Sequence, residues 1–227
     1  MTRRLSFVAG RIDGWTTTAM NGYKEYTVSY NRAGFELFQD LSGLPEGNYE
    51  VTVHTYYRAG YWYDEEDHIK KGEETHLTTL YAETSNGRAE KPVMNLTEGA
   101  TSEIYYDGKA YTLSSGLFAP DGTSATAAWF AAGAYLNNLE FTVPSDGKVR
   151  IGLSKKEVFP NDYQVVGAWN LYYLGKATTI DGVPSGESVT AMPVGFYTLS
   201  GARVAQPQRG INIVRMPDGT VRKVLLK

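Results

Sequence analysis

The alternation across residues 48–58 constrains this chain most. Tyr49, Val51, Val53, Thr55 and Tyr57 fall on one side of the segment, and Glu50, Thr52, His54, Tyr56 and Arg58 on the other. A period of two fits a β-strand with one buried face and does not fit a helix, whose apolar positions recur every three to four residues. Leu44-Pro45-Glu46-Gly47-Asn48 precedes it and reads as a turn, because proline presets φ and glycine accepts positive φ. Phe35, Leu37 and Gln39 alternate in the same way with Glu36, Phe38 and Asp40. Further strands are expected at 77–83, 139–143, 149–153 and 165–174, with Pro144-Ser145-Asp146-Gly147 as a hairpin turn. One alanine-rich stretch, 123–132, breaks the pattern. Ser124 suits an N-cap and Gly133 the residue after a helix end, so one short helix is expected there and none elsewhere.

The 24 glycines and 9 prolines stand singly rather than in blocks, which suits many short strands joined by turns. At 227 residues and 42% hydrophobic content, the chain can bury a sizeable core. Residues 177–193 are rich in Thr, Gly, Ser and Pro and lack a periodic apolar face, so they read as a linker. Short strand signals return at 196–199, 202–205, 210–216 and 220–226, with Ser200-Gly201 and Pro217-Asp218-Gly219 as turns. The reading is all-β: a main domain over 1–176, a linker over 177–193 and a small β-rich domain over 194–227.

Charge and cysteine content narrow the function classes. Net charge is −3, so nothing draws the whole chain to nucleic acid or anionic lipid. Residues 178–227 hold six basic and three acidic side chains, which leaves 16 and 22 for the rest. That shift supports a boundary near residue 178 and is too small to imply a polyanion partner. There is no cysteine, which excludes disulfides, thiolate nucleophiles and cysteine-ligated zinc. No apolar run approaches the ~20 residues of a membrane-spanning helix. No signal-peptide pattern is visible before the strand-like sequence begins.

The densest polar-aromatic segment is 56–68, Tyr-Tyr-Arg-Ala-Gly-Tyr-Trp-Tyr-Asp-Glu-Glu-Asp-His. Its second half is expected to be a long loop following the clearest strand. Exposed aromatic rings stack on the apolar faces of sugar rings, while carboxylates and arginine bind hydroxyls. Tyr56, Arg58, Tyr61, Trp62, Tyr63 and Asp64 are therefore candidate ligand-binding residues. The competing reading puts Tyr57 in the core, makes Trp62 a loop anchor and leaves the acids to solvate the loop. A second candidate group is Asn161, Asp162 and Tyr163, with Lys155 and Lys156, in the loop before the last long strand. Asp64, Asp67, His68, Glu73 and His76 lack a recognised metal-ligand spacing. A glycosidase needs two carboxylates facing each other across a cleft, and no pair is marked out. His54, His68 and His76 have no serine-elbow partner, and no phosphate-binding glycine loop occurs. No catalytic role is expected for any residue.

Several pieces carry a resemblance. They are Asp13-Gly14-Trp15-Thr16, the run from Phe38 through Leu44-Pro45-Glu46-Gly47-Asn48-Tyr49, Gly133-Ala134-Tyr135-Leu136-Asn137-Asn138, Ile151-Gly152-Leu153-Ser154-Lys155 and Leu171-Tyr172-Tyr173-Leu174-Gly175. In this order they resemble the galactose-binding-like jelly roll of secreted Bacteroidetes proteins. The closing strand departs from that pattern: it reads Val166-Gly167-Ala168-Trp169, without the aspartate relatives often carry, and Trp169 is expected in the core. The tail, with Phe196-Tyr197-Thr198-Leu199-Ser200-Gly201, Arg209-Gly210-Ile211-Asn212-Ile213-Val214 and Lys223-Val224-Leu225-Leu226-Lys227, resembles the C-terminal sorting-type β-domain of such proteins. The resemblance implies a jelly-roll β-sandwich with one short helix, export to the medium or cell surface, and a carbohydrate ligand. It implies no cofactor, although such modules often hold a structural calcium. The alternative is a structural or protein-interaction domain without a sugar ligand.

Overall fold

The computed structural model describes residues 2–5, 12–19, 22–24, 27–61, 63–103, 110–176, 195–198, 201–204, 206, 208–215 and 221–226. The chain divides into two compact units, Met1–Lys176 and Ala177–Lys227. The first begins with β1 (Thr2–Arg4), β2 (Thr16–Thr17), β3 (Gly22–Lys24), β4 (Thr27–Asn31), β5 (Phe35–Leu41) and β6 (Gly47–Arg58). Helix α1 (Glu65–Lys70) follows, then β7 (Thr79–Thr84), β8 (Gly87–Pro92), β9 (Ala110–Thr112) and β10 (Phe118–Pro120). Helix α2 (Gly122–Ala131) leads to β11 (Leu136–Val143), β12 (Val149–Lys155) and β13 (Tyr163–Gly175). The second unit holds β14 (Gly195–Tyr197), β15 (Arg203–Val204), β16 (Gly210–Arg215) and β17 (Val221–Leu226).

Two antiparallel sheets make the first unit a β-sandwich. One runs β11-β6-β13-β4-β3, with β1 beside the second half of β13; the other runs β2-β5-β12-β7-β8. The chain passes from β4 to β5, back to β6, across to β7, and again from β11 through β12 to β13, changing sheet each time. That alternation is the crossing pattern of a jelly roll. Between the sheets lie Tyr49, Val51, Val53, Leu37, Leu80, Ile151, Leu153, Val166 and Trp169, all buried. Trp169 packs against Trp15 with ring centroids 4.5 Å apart, and the Trp15 indole N–H donates to Leu5 O. The turn before β6 is closed by the Tyr49 hydroxyl, which donates to Pro45 O at 2.8 Å.

A second apolar cluster sits on the outer face of β6 and β13. Helix α2 closes over that face and buries Tyr56, Val165, Trp129, Phe130 and Tyr135 together. The expected helix therefore forms, one residue earlier than expected. Asp121, not Ser124, is at the N-cap, and it makes no side-chain cap bond. Gly133 follows the helix end with φ +89°. His54 is half-buried under this cap; its ring contacts Phe130 and its Nδ1 lies 2.9 Å from Ala134 O.

Helix α1 is a second helix where the sequence suggested a loop. Its first turn carries Glu65, Glu66 and Asp67 and its last carries His68 and Lys70, charges that complement the helix dipole. Its one buried residue is Glu65, so no apolar stripe announced it.

In the second unit the sheet order is β15-β14-β16-β17, antiparallel throughout. Asn212 and Val214 are buried, and the Asn212 amide both accepts from Gln208 N and donates to Gln208 O. The expected linker at 177–193 lies outside the described residues.

Candidate functional site

Three loops meet at one end of the sandwich: 32–34 between β4 and β5, 59–64 between β6 and α1, and 156–162 between β12 and β13. Strand β13 lies between β4 and β6, and Tyr163 sits opposite both Asn31 and Arg58. The two candidate segments, over 100 residues apart in sequence, thus converge at the Arg58–Tyr163 pair. The Arg58 guanidinium carbon lies 5.0 Å from the centre of the Tyr163 ring, and Arg58 Nε donates to Gly60 O at 3.0 Å.

Tyr61 and Tyr63 project from the rim. They are 39% and 58% exposed, and their rings stack at 5.4 Å with an interplanar angle of 14°. Arg32 reaches the pair, its Nη2 donating to the Tyr61 hydroxyl at 3.4 Å. Nothing in the sequence marked Arg32. Its backbone has φ +53°, and Asn161 on the adjoining loop has φ +61°. Asparagine tolerates that region, whereas arginine enters it at a cost. The Arg32 amide is held there by donating to Asp162 O at 3.1 Å. Tyr30 and Phe35 stack at 3.7 Å in the core on either side of this turn in sequence. Trp62, the remaining member of the aromatic run, lies outside the described residues.

The acids around this loop hold it in place. Asp64 Oδ2 accepts from Tyr61 N at 3.3 Å, bracing the aromatic turn from within. Glu65 is fully buried and accepts from Leu96 N at 2.9 Å, tying α1 to the segment after β8. Burial pushes its carboxyl up to about 8, so it carries a proton at neutral pH; the Leu96 N–H and the Arg58 charge pull the other way. Glu66 accepts from both the amide and the hydroxyl of Ser114. Asp67 pairs with Lys70 at 3.5 Å on the surface. His68 contacts the Phe159 ring edge-on at 4.6 Å and pairs with Glu73, so α1 also supports the 156–162 loop.

Two of the candidate residues are interior. Tyr56 is 1% exposed, with its hydroxyl bonded to Thr126 Oγ1 at 3.0 Å beneath α2. The alternation of β6 does put it opposite the main core, but α2 makes that face a second interior. Asp162 is also fully buried. Its Oδ2 accepts from Lys155 Nζ at 2.6 Å and from Phe159 N at 3.0 Å, closing the 156–162 loop under Tyr163. Burial pushes the Lys155 ammonium down, and Asp162 opposes that shift. Tyr56 and Asp162 therefore support the rim from below rather than facing a ligand. Arg58, Tyr61, Tyr63, Asn161 and Tyr163 lie at the rim, together with Asp64, which faces into the loop.

Two further residues enter the site without a sequence signal. The Tyr111 hydroxyl donates to Asp121 Oδ1 at 2.9 Å. Both Tyr111 and Tyr163 are raised by burial, and both feel the Asp121 and Arg58 charges. Only the closing of α2 and β9 over β6 brings them beside Arg58. The metal-ligand candidates do not converge: His68 pairs with Glu73, and His76 with Glu98 at 3.0 Å. Among the described residues no group of three or more His, Asp or Glu side chains could hold a metal ion. Nor is any helix among them long and apolar enough to cross a membrane.

At the opposite end of the sandwich lies an open groove of about 400 Å³, lined by Asp40, Glu83, Asp146, Lys148 and Arg150 among others. The Asp40 carboxylate takes both Arg150 Nε and Nη2, at 2.7 and 2.9 Å, which holds its carboxyl below the usual range. Its principal cation is therefore already paired within the protein.

No family model and no curated protein matches the sequence. Among solved structures, one similar to this chain is the xylan-binding module CBM15, at 12% identity and a TM-score of 0.32, over 78% of this chain and 99% of that one.

Proposed function

We propose that this chain is a non-catalytic, extracellular glycan-binding module whose ligand lies across the rim formed by Tyr61, Tyr63, Arg58 and Tyr163. The observation that carries this reading is the exposed, stacked Tyr61–Tyr63 pair on a braced loop. Ordering two aromatic side chains at a surface loses rotamer freedom and leaves apolar area in water, unless a ligand covers it. A sugar ring supplies an apolar face for such a platform and hydroxyls for the polar groups beside it. A non-catalytic role is supported by the use of the local acids: Asp64, Glu65 and Glu66 are engaged in holding the loop, not set as a facing pair across a cleft. Export rests on the sequence pattern of the C-terminal unit, which we read as a sorting-type β-domain. Affinity electrophoresis through gels containing a panel of plant, bacterial and host polysaccharides tests the reading. Retardation by at least one is expected; mobility unchanged by every polysaccharide would overturn it.

One observation favours a protein ligand instead. Ile69 on α1 and Val158 on the neighbouring loop are 40% and 48% exposed, which extends the apolar surface around the rim. A partner retained on the immobilised protein and released by Tyr63→Ala, with no polysaccharide bound, would support this second reading.

A further inference from the structure

The geometry points to an acidic polysaccharide, one carrying carboxylates of the uronic-acid type, as the ligand of this rim, with Arg32 and Arg58 as the residues that select it. The inference deepens the glycan-binding reading and rests on it.

Among the described residues, the two arginines of the rim have no carboxylate partner. Among the acids near the rim, Asp67 pairs with Lys70 and Asp162 with Lys155; Asp64, Glu66 and Asp121 accept from the neutral groups Tyr61 N, Ser114 and Tyr111; and Glu157 on the 156–162 loop is exposed. Glu65 is buried and protonated at neutral pH. Arg32 spends one N–H on the Tyr61 hydroxyl, and Arg58 spends one on Gly60 O; neither forms an ion pair with a carboxylate among the described residues. Elsewhere in the unit, the arginines whose side chains are described do pair. Arg150 takes Asp40 through two nitrogens, and Arg88 takes Glu83 and Glu90. Among the described residues of this unit, the rim thus holds the guanidinium groups that have no carboxylate partner.

Their placement fits a chain ligand. Arg58 and Asn31 lie opposite the same residue, Tyr163, from strands on either side of β13. With neighbouring strands ~4.8 Å apart, Arg58 and the Arg32 turn are separated by roughly 10 Å across the sheet. Tyr61 lies with the arginines, in contact with Arg32 and next to Gly60, which Arg58 holds. A sugar seated on the tyrosine pair would present its substituents to both. Guanidinium presents a planar fork that matches a carboxylate through two parallel bonds, a geometry lysine cannot reproduce. The positive φ of Arg32 fixes the direction of its side chain at a conformational cost, which is consistent with a positioning demand.

Retardation in gels containing polygalacturonate, fully methyl-esterified pectin, dextran sulfate and neutral xylan separates the outcomes. Esterification keeps the same sugar backbone and removes its charge. We expect polygalacturonate to bind roughly tenfold or more tightly than its ester, as loss of a charge-assisted bond would give. Binding should weaken as salt rises. Arg32→Gln, an exposed change that leaves the core untouched, should lower affinity for polygalacturonate by a similar factor. Arg58→Lys, which keeps the charge and removes the fork, should do the same. Equal affinity for polygalacturonate and its ester, or unchanged binding by both variants, overturns the inference and leaves the glycan-binding reading standing. Tighter binding to dextran sulfate than to polygalacturonate overturns the uronate assignment. No binding to any of the four or to the wider panel overturns both.

Discussion

At the scale of single residues, Glu65 is an acid whose burial favours its protonated form. Its carboxyl has a value of about 8 in the fold against 4.5 when exposed. Folding therefore favours the protonated form. That contribution is complete below about pH 4.5, drains away as pH rises, and is gone above about pH 8. Its size is of order a few kcal/mol. Glu65→Gln keeps a carbonyl to accept the Leu96 N–H and carries no charge at any pH. The variant should match the wild type in thermal midpoint near pH 5 and exceed it by several degrees near pH 8.5. Melting curves across that range check this, and a constant offset between the two proteins would contradict it. The sequence marked this residue only as one acid in an acidic run. A buried acid and a solvated one look alike in sequence, because burial here is conferred by the 94–98 segment, some 30 residues away. Tyr56 and Asp162 were misassigned for the same reason: their residue types suit a binding surface, and only the covering elements reveal them as interior.

At the scale of elements, strands were legible wherever one face is buried and the other wet. Strands β5 and β11 follow their alternation closely, since one-residue slips would turn their apolar sets to solvent. Strand β4 was not read, and β8, whose residues are mostly exposed, carries no apolar pattern to read. Helix α1 escaped because its stability comes from charge placement and one buried acid. The loop it supports depends on Gly60, which has φ +74° and would place a Cβ 2.8 Å from His68 Nε2 and 3.2 Å from Asp64 Cβ. Gly60→Ala should therefore cost ~1–3 kcal/mol. The cost should be local. Amide hydrogen exchange should accelerate across residues 59–70 and stay unchanged in β5 and β12. Equal acceleration in those core strands would show that the loop and the sandwich open together.

For the whole molecule, the division into Met1–Lys176 and Ala177–Lys227 has a direct consequence. Both apolar clusters of the sandwich are built from residues before 177. A fragment of residues 1–176 should fold cooperatively with a thermal midpoint within a few degrees of the full chain, and should keep whatever glycan binding the full chain has. A fragment that is unfolded would show that the sandwich core is incomplete without the tail. The sandwich was legible from alternation and turn chemistry together. The rim was half legible: Arg58, Tyr61, Tyr63 and Tyr163 stood out as residue types, whereas Arg32, Tyr111 and Asp121 join them only through sheet order and the closure of α2.

The central claim is that the stacked tyrosines on the 59–64 loop are a sugar platform. It is tested most directly by comparing wild type with Tyr61→Ala/Tyr63→Ala on the polysaccharide that retards the wild type. Both side chains are exposed, so the variant should melt within about 1–2 °C of the wild type, as surface changes usually do. Its affinity should fall at least roughly tenfold, as the loss of two stacking rings predicts. Undiminished binding by a folded double variant would place the ligand elsewhere on the molecule and contradict the account.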